Sequence, residues 1–285
     1  MRLIIVSGLS GSGKSVALNV LEDLGYYCID NIPVALAQSF IDEILPRNDP
    51  AYDFVALGLD ARNVPDLVDL PHLIRRLRSN DIACELVFLQ ADDDVLLSRF
   101  SETRRKHPLT GKQLDLVQAV KTEKELLSPI VDMADLIIDT STTSVYDLRD
   151  QIRDRVGGRE PDSLSILVES FGYKHGLPAE ADFVFDVRCL PNPYWEPSLR
   201  PLCGKDEPVR AFLRGDPAVE QMIDDIVAFL NRWIPFYQNF QRPYLTVAIG
   251  CTGGQHRSVY VVETVAARLS EVHGEIKTSH HELRD

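Results

Sequence analysis

The sequence predicts two α/β units built on mostly parallel sheets. Three observations predict this. Short apolar runs alternate with segments of helical spacing from residue 3 to residue 156. A Gly-rich turn joins the first apolar run to the first helix. A break rich in Gly, Pro and charge at 157–162 separates this region from a second α/β stretch. The expected boundaries are therefore 1–156, a linker at 157–162, and 163–285.

Leu3–Val6 is a short apolar run, read as a buried parallel strand. Val16, Leu18, Val20, Leu21 and Leu24 recur at helical spacing over Ser15–Leu24, and Gly25 ends that helix. Tyr26–Ile29 reads as a strand, Val34–Leu45 as a helix closed by Pro46, and Phe54–Leu59 as a strand ending at Asp60. Leu70–Ser79 carries helical spacing. Glu85–Gln90 is a strand, and Val95–Arg104 and Leu114–Leu127 are helices. Leu136–Asp139 and Val145–Val156 close the region as strand and helix. Beyond the break, Leu164–Val168 and Phe183–Val187 read as strands. Six of the 17 prolines fall between Leu190 and Pro217, so that stretch reads as loop. Ala218–Trp233 is a helix, Tyr244–Ile249 a strand, Ser258–Val272 a helix and Glu275–Thr278 an edge strand.

Composition narrows the function classes. Across 285 residues, 45% hydrophobic and 26% charged residues suffice for cores without staples. Five cysteines, an odd number without a CxxC pair, argue against a disulfide scaffold and against a Cys-rich zinc site. A net charge of −13 argues against nonspecific nucleic-acid binding by the whole surface. No apolar run reaches the roughly 18 residues needed to span a bilayer, and the start is too short for a signal-peptide core, so a cytoplasmic chain is expected.

Gly8-Leu9-Ser10-Gly11-Ser12-Gly13-Lys14-Ser15 matches GxxxxGK[ST], and it sits between a strand and a helix as the mechanism requires. The glycines let successive N–H groups face phosphate oxygens, and the helix start adds its positive end. Lys14 is expected to reach the β/γ-phosphates, and the Ser15 hydroxyl to ligate Mg²⁺. Asp30, Asp60 and Asp92–Asp94 all end predicted strands and compete as the acidic partner of that ion. For two of the last three, a helix N-cap or turn former is the preferred role. Arg99, Arg104, Arg105, Lys106 and His107 form a basic cluster, read either as a phosphate-contacting lid or as a solvated helix end.

A second strand, Gly-rich turn and helix runs from Tyr244 through Gly250-Cys251-Thr252-Gly253-Gly254-Gln255-His256-Arg257-Ser258. Its N–H groups, with His256 and Arg257, suit an anion. Cys251 and Arg257 also carry the C-x5-R-S spacing of cysteine phosphatases, but a small buried residue ending a strand is the plainer reading of Cys251. Lys174, His175 and Arg188 follow strands and are expected to converge on this loop.

Seven segments together, SGLSGSGKS, GYYCIDNIP, GLDARN, SRFSETRRKHPL, ADLIIDTS, ESFGYKHGLPAEADFVFDVRCLPNP and LTVAIGCTGGQHRSV, resemble the RapZ/YvcJ family over nearly the whole chain. The resemblance implies an N-terminal kinase-like P-loop domain with ATPase and GTPase activity. Gly8–Ser15 is then the ATP segment, and Asp60, Ala61, Arg62 and Asn63 the segment assigned to GTP. It also implies a C-terminal domain similar to part of phosphofructokinase that binds a phosphorylated amino sugar such as glucosamine-6-phosphate. His175, Arg188, Thr252, Gly253, His256 and Arg257 are then the sugar-phosphate contacts. One branch of the family is an RNase adapter, a homo-oligomer read as a tetramer, that delivers a small regulatory RNA to an endoribonuclease.

This chain departs from that branch at its end. Lys277 and Arg284 stand against Glu275, Glu282 and Asp285 where the adapter branch has a basic tail. Phosphate contacts dominate nucleic-acid affinity, so RNA binding would have to rest on other cations such as Lys205, Arg210, Arg214, Arg242 and Arg268. The alternative from another class is a small-molecule kinase using the same P-loop, with Asp30 beside the acceptor.

Overall fold

The computed structural model describes residues 1–47, 49–59, 70–79, 82–103, 106–110, 114–157, 164–240 and 242–283. The chain divides into two compact units, Met1–Asp162 and Ser163–Asp285. Asp60, Ala61, Arg62 and Asn63 lie outside the described residues, as do Arg104, Arg105, Arg284 and most of the 157–162 break.

The first unit is a parallel sheet of β1 (Arg2–Gly8), β2 (Tyr27–Ile29), β3 (Phe54–Gly58), β4 (Ala83–Gln90) and β5 (Leu136–Asp139), in the order β2-β3-β1-β4-β5. Every residue of β1 is buried, as a central strand covered on both faces requires. Leu3, Ile5, Leu57, Leu86 and Phe88 pack on the helices α2 (Val34–Ile44), α3 (Leu70–Ser79) and α5 (Leu116–Val131). The alternate residues Ile4 and Val6 point the other way. There α1 (Lys14–Asp23) packs on β1 and on α6 (Val145–Gln151). Helix α4 (Asp93–Thr103) follows β4. Local chemistry sets the ends. Asp115 caps α5 by accepting from Gln118 N–H at 2.8 Å, and Ser144 with Asp147 forms a capping box on α6. After α6 the backbone runs on as a π-helical turn, Ile152–Gly157. Buried Arg2 ties this turn to the sheet, donating to Glu85 Oε1 at 2.9 Å and to Val156 O at 2.7 Å.

The second unit is a parallel sheet of β6 (Ser165–Gly172), β7 (Phe183–Asp186), β8 (Tyr244–Cys251) and β9 (Ile276–His280), in the order β7-β8-β6-β9. Helix α8 (Pro217–Asn239) buries Val219, Ile223, Ile226, Leu230 and Ile234, and α9 (Arg257–His273) buries Val261, Val262, Val265 and Leu269. Because all four strands are parallel, Gly172, Asp186, Cys251 and His280 end at one edge. The loops after these strands therefore gather there.

Several elements differ from the sequence expectation. The 190–217 stretch holds a helix, α7 (Glu207–Arg214). Pro208 stands in its first turn, where the missing N–H costs nothing, and Val209 and Leu213 bury one face. Helix α8 runs through Pro235 to Asn239, since buried Leu230 and Ile234 continue its apolar stripe past the expected end at Trp233. Strand β6 continues to Gly172 because polar Glu169 and Ser170 are themselves buried. No helix among the described residues is long and apolar enough to cross a membrane.

Candidate functional site

The Gly8–Ser15 loop leaves the central strand of the first sheet and opens α1. Gly11 and Gly13 hold φ of +91° and +105°, which L side chains rarely adopt. At Gly8 the constraint is space, since a Cβ there would lie 2.4 Å from Leu89 O. The first turn of α1 contains no acidic residue, and Gly13 O accepts Val16 N–H at 2.9 Å and Ala17 N–H at 3.1 Å. Lys14 Nζ donates to Leu59 O at 3.3 Å and Asn31 Oδ1 at 3.4 Å. It thus bridges the ends of β2 and β3.

The loop is braced from below. Glu123 on α5 is fully buried and accepts Ser10 N–H at 2.9 Å and Ser10 Oγ–H at 2.7 Å. His107 Nδ1 accepts Leu109 N–H at 3.1 Å, so the ring proton sits on Nε2 and is donated to Glu123 Oε2 at 3.1 Å. Arg99 donates to Gly11 O at 3.0 Å and to Thr140 O at 2.6 Å. Thr140 Oγ lies 3.0 Å from Ser12 O and 3.1 Å from Gln90 O. The basic cluster therefore splits. Arg99 and His107 hold the loop's underside, while Lys106 is exposed.

The acidic candidates also separate. Ser15 and Asp30 line one cleft of about 130 Å³, together with Leu18, Asn19, Glu22 and Cys28. Asp92 O accepts the first helical N–H of α4, from Leu96 at 3.0 Å, and Asp93 pairs with Lys124. Asp92 thus stands at the start of α4, and Asp93 ties α4 to α5. Burial, reinforced by the charge of Glu22, pushes the Cys28 thiol in that cleft up to about 11.

In the second unit, the 250–258 loop meets the end of β6. A Cβ on Gly172 would lie 2.8 Å from Gly253 C, and Lys174 N–H donates to Thr252 O at 3.3 Å. His175, Thr252 and Arg188 are exposed at this edge. Arg188 is committed to a bidentate pair with Asp186, at 3.0 and 2.7 Å, and lies 3.9 Å over the Tyr173 ring. Two donors named from sequence turn inward. His256 Nε2 donates to Leu199 O at 3.2 Å. Arg257, 4% exposed, donates to Arg188 O at 2.7 Å, Leu190 O at 3.1 Å and Thr252 Oγ at 3.4 Å. The structure thus brings Thr252, Gly253, Arg257, Arg188 and the Tyr173–His175 turn to one edge. His256 and Arg257 serve as its braces.

Cys251 is buried, as its plainer reading expects, but it is not merely a filler. Its Sγ accepts Gly254 N–H at 3.2 Å and lies 3.2 Å from Ser258 Oγ. Burial alone would raise this thiol. The Ser258 hydroxyl, the N–H groups of Ser258 and Gly254 and the Arg257 charge outweigh it and lower it below the ordinary cysteine range. A phosphatase would also need a proton donor. Arg188 holds the Asp186 carboxyl below the usual carboxylate range, and Asp182 accepts Thr246 N–H at 2.8 Å. Neither is arranged for that task.

Sequence reasoning missed Glu123 and Thr140. Glu123 had a signal: it falls with Val120 and Leu127 on the buried stripe of α5, where an acid needs a partner.

Two family descriptions match the chain, a RapZ-like N-terminal domain over residues 1–160 and a RapZ C-terminal domain over 164–284. Proteins named as nucleotide-binding proteins are similar over their full length. That of Thioalkalivibrio sulfidiphilus is 50% identical over 285 residues, covering 99% of this chain and 100% of the relative. That of Halorhodospira halophila is 52% identical over 284 residues, covering 99% of each. Among solved structures, shikimate kinase from Bacteroides thetaiotaomicron matches with a TM-score of 0.35 and 16% identity, over 54% of this chain and 96% of that chain.

Proposed function

The chain belongs to the RapZ family, and from that premise we propose that it is a nucleotide-binding regulator whose second unit senses a small phosphorylated ligand. The observation that carries the reading is the Gly8–Ser15 loop. It combines two left-handed glycines, a helix start free of acids, and Lys14 reaching across the ends of two neighbouring strands. Relatives about 50% identical over their full length are named for nucleotide binding, which supports the same reading.

ATP and GTP are the proposed ligands. Lys14 would hold the β/γ-phosphates, and Asp60–Asn63 would add the guanine-nucleotide contacts that the family resemblance implies. Ser15 and Asp30 offer hard oxygen donors on one cleft, a donor set that suits Mg²⁺. Bound there, the ion would neutralise charge between phosphate oxygens. Slow hydrolysis is expected, because a P-loop mainly binds unless a group also positions the attacking water. Titration with fluorescent ATP and GTP analogues tests this. Saturable, Mg²⁺-dependent binding lost in Lys14→Ala is the expected result, and equal binding by both proteins would sink the reading.

The cleft beside Ser15 also supports a second reading, a kinase with its acceptor near Asp30. Labelled γ-phosphate appearing on a metabolite faster than on water would favour it.

For the second unit, glucosamine-6-phosphate is the proposed ligand, held by His175, Arg188, Thr252 and Gly253, with His256 and Arg257 bracing the loop behind them. The convergence of their segments on one sheet edge supports this. The adapter role, with a small regulatory RNA and an endoribonuclease as partners, rests on the family resemblance. Three of the cations named for it are engaged: Lys205 with Glu263 at 3.6 Å, Arg214 with Glu207 at 3.5 Å, and Arg268 with Asp224 at 2.6 Å. RNA would have to displace these pairs, so weak and strongly salt-dependent binding is expected. A homo-oligomer is proposed on the aromatic face of α8, where Trp233, Phe236 and, just beyond, Phe240 are exposed.

A further inference from the structure

Away from both loops, a group of ionisable side chains gathers where β6 and the chain's last segment meet. Glu169 lies inside β6 and is only 2% exposed. Its strand neighbour is β9, in which Ser279 stands opposite Glu169. His281 follows β9 directly, and its N–H donates to Ser170 O at 3.0 Å. Glu180 comes from the segment before β7. One ligand atom from each of Glu169, Glu180 and His281 lies within 4.8 Å of the others. His281 Nε2 is 3.1 Å from Glu169 Oε2. The second oxygen of Glu169, Oε1, is buried and has no hydrogen-bond partner.

A sheet strand that buries a carboxylate beside a second carboxylate needs a cation between them. Glu169 Oε2 meets His281 Nε2 at 3.1 Å, while Glu169 Oε1 meets no hydrogen-bond partner. An ion would reach both carboxylates and the ring nitrogen at once.

We propose that Glu169, Glu180 and His281 form a binding site for a divalent first-row transition ion of the Zn²⁺ type. Two carboxylate oxygens and an imidazole nitrogen form a mixed O/N set, which suits Zn²⁺ better than the all-oxygen preference of Mg²⁺ or Ca²⁺. Zn–ligand bonds of roughly 2.0–2.2 Å in tetrahedral geometry place ligand atoms about 3.4 Å apart. The 3.1 Å pair is already near this spacing, and the other pairs, within 4.8 Å, would draw in by up to about 1.4 Å. Three protein ligands leave the fourth position to water or a ligand. Binding would expel the His281 proton and clamp the 280–283 segment onto β6.

The test uses the full chain, stripped with EDTA, desalted and titrated with Zn²⁺ alone in a calorimeter. Expected are one high-affinity ion per chain, a rise in melting temperature on addition, and at least a tenfold loss of affinity in both His281→Ala and Glu180→Gln. Glu180→Gln guards against misfolding, because it leaves the His281–Glu169 pair in place. Absence of saturable binding would overturn the site. So would one ion per chain held equally well by both variants. Co²⁺ in place of Zn²⁺ gives an independent readout. A spectrum without sulfur-to-metal charge transfer supports the O/N set, and a thiolate band would move the ion to a cysteine and end the proposal.

Discussion

The backbone N–H of Ser10 donates to the carboxylate of Glu123 at 2.9 Å, across 113 positions of sequence. A buried acid on α5 thus holds the crown of the P-loop, and His107 holds that acid. Glu123→Ala leaves the Ser10 and His107 donors facing an apolar void. Each unsatisfied buried donor costs about 1–3 kcal/mol, so a loss of about 2–5 kcal/mol is expected. A loss of that size lowers the melting point of a unit this size by roughly 4–20 °C. Glu123→Gln keeps the shape but turns an amide NH₂ toward donors, so it too should destabilise. Thermal melts of both variants, with nucleotide titrations below the transition, check this. Melting unchanged from the parent would show that the brace carries no energy.

Lys14 and Ser15 should separate affinity from stability. Both lie at the open face of the loop, and neither belongs to the core. Lys14→Ala should weaken triphosphate binding by tenfold or more, about 1.4 kcal/mol, and leave the melting temperature within a degree or two. Asp30→Asn should raise the Mg²⁺ concentration needed for half-maximal binding, because Asp30 shares the Ser15 cleft. Asp92→Asn should not, since its place is the start of α4. Mg²⁺ titrations at fixed nucleotide decide between them. The reverse ranking would move the ion away from Asp30.

Thr252 and Arg257 should part in the same way in the second unit. Arg257 carries hydrogen bonds to Arg188 O and Leu190 O from a nearly buried position. Hydrogen bonds to charged groups contribute about 1.5–3 kcal/mol each, so Arg257→Ala should destabilise the unit by several kcal/mol along with any ligand loss. Thr252 is exposed, and Thr252→Ala leaves both carbonyls braced. It should reduce sugar-phosphate affinity without changing the denaturation midpoint. Calorimetry with glucosamine-6-phosphate, paired with urea unfolding, separates the two. A Thr252→Ala protein that binds as the parent does would remove this loop from the ligand site.

What the sequence exposed and what it hid follow physical lines. Strands such as Leu3–Val6 and the P-loop were legible because their signals are local: an apolar run, a fixed spacing, a glycine where φ must be positive. Helix α7 was masked by prolines that only a capped first turn makes harmless. Thr252 apart, the partners of Glu123, Glu169, His256 and Arg257 lie 16 to 113 positions away in sequence. No periodicity reports where such a side chain turns. His256 and Arg257 looked like donors aimed at an anion, yet their bonds go to carbonyls of neighbouring loops, because a buried guanidinium takes the nearest acceptors. Residue type marked the right edge of the sheet and left the direction of each side chain open.

Cys251 offers a pH test. Its thiol is lowered in the folded chain, whereas Cys28 and Cys84 are pushed up to about 11 and about 12 by burial. For an acid whose folded value lies below its unfolded value, the linked stability is present above the unfolded value. It is lost as pH falls through the folded value. The parent should therefore gain stability relative to Cys251→Ala as pH rises toward 9, the ordinary cysteine value. The thiolate absorbance should rise at a pH below that of a free thiol, and this step should vanish in Cys251→Ala. Ser258→Ala removes a hydrogen-bond partner of the sulfur and should move the step upward. Urea unfolding of the three proteins between pH 7 and 9.5, read beside the absorbance titration, provides the check. Parallel stability curves for the parent and Cys251→Ala would mean that the thiol stays protonated and that the 250–258 loop gains nothing from its charge.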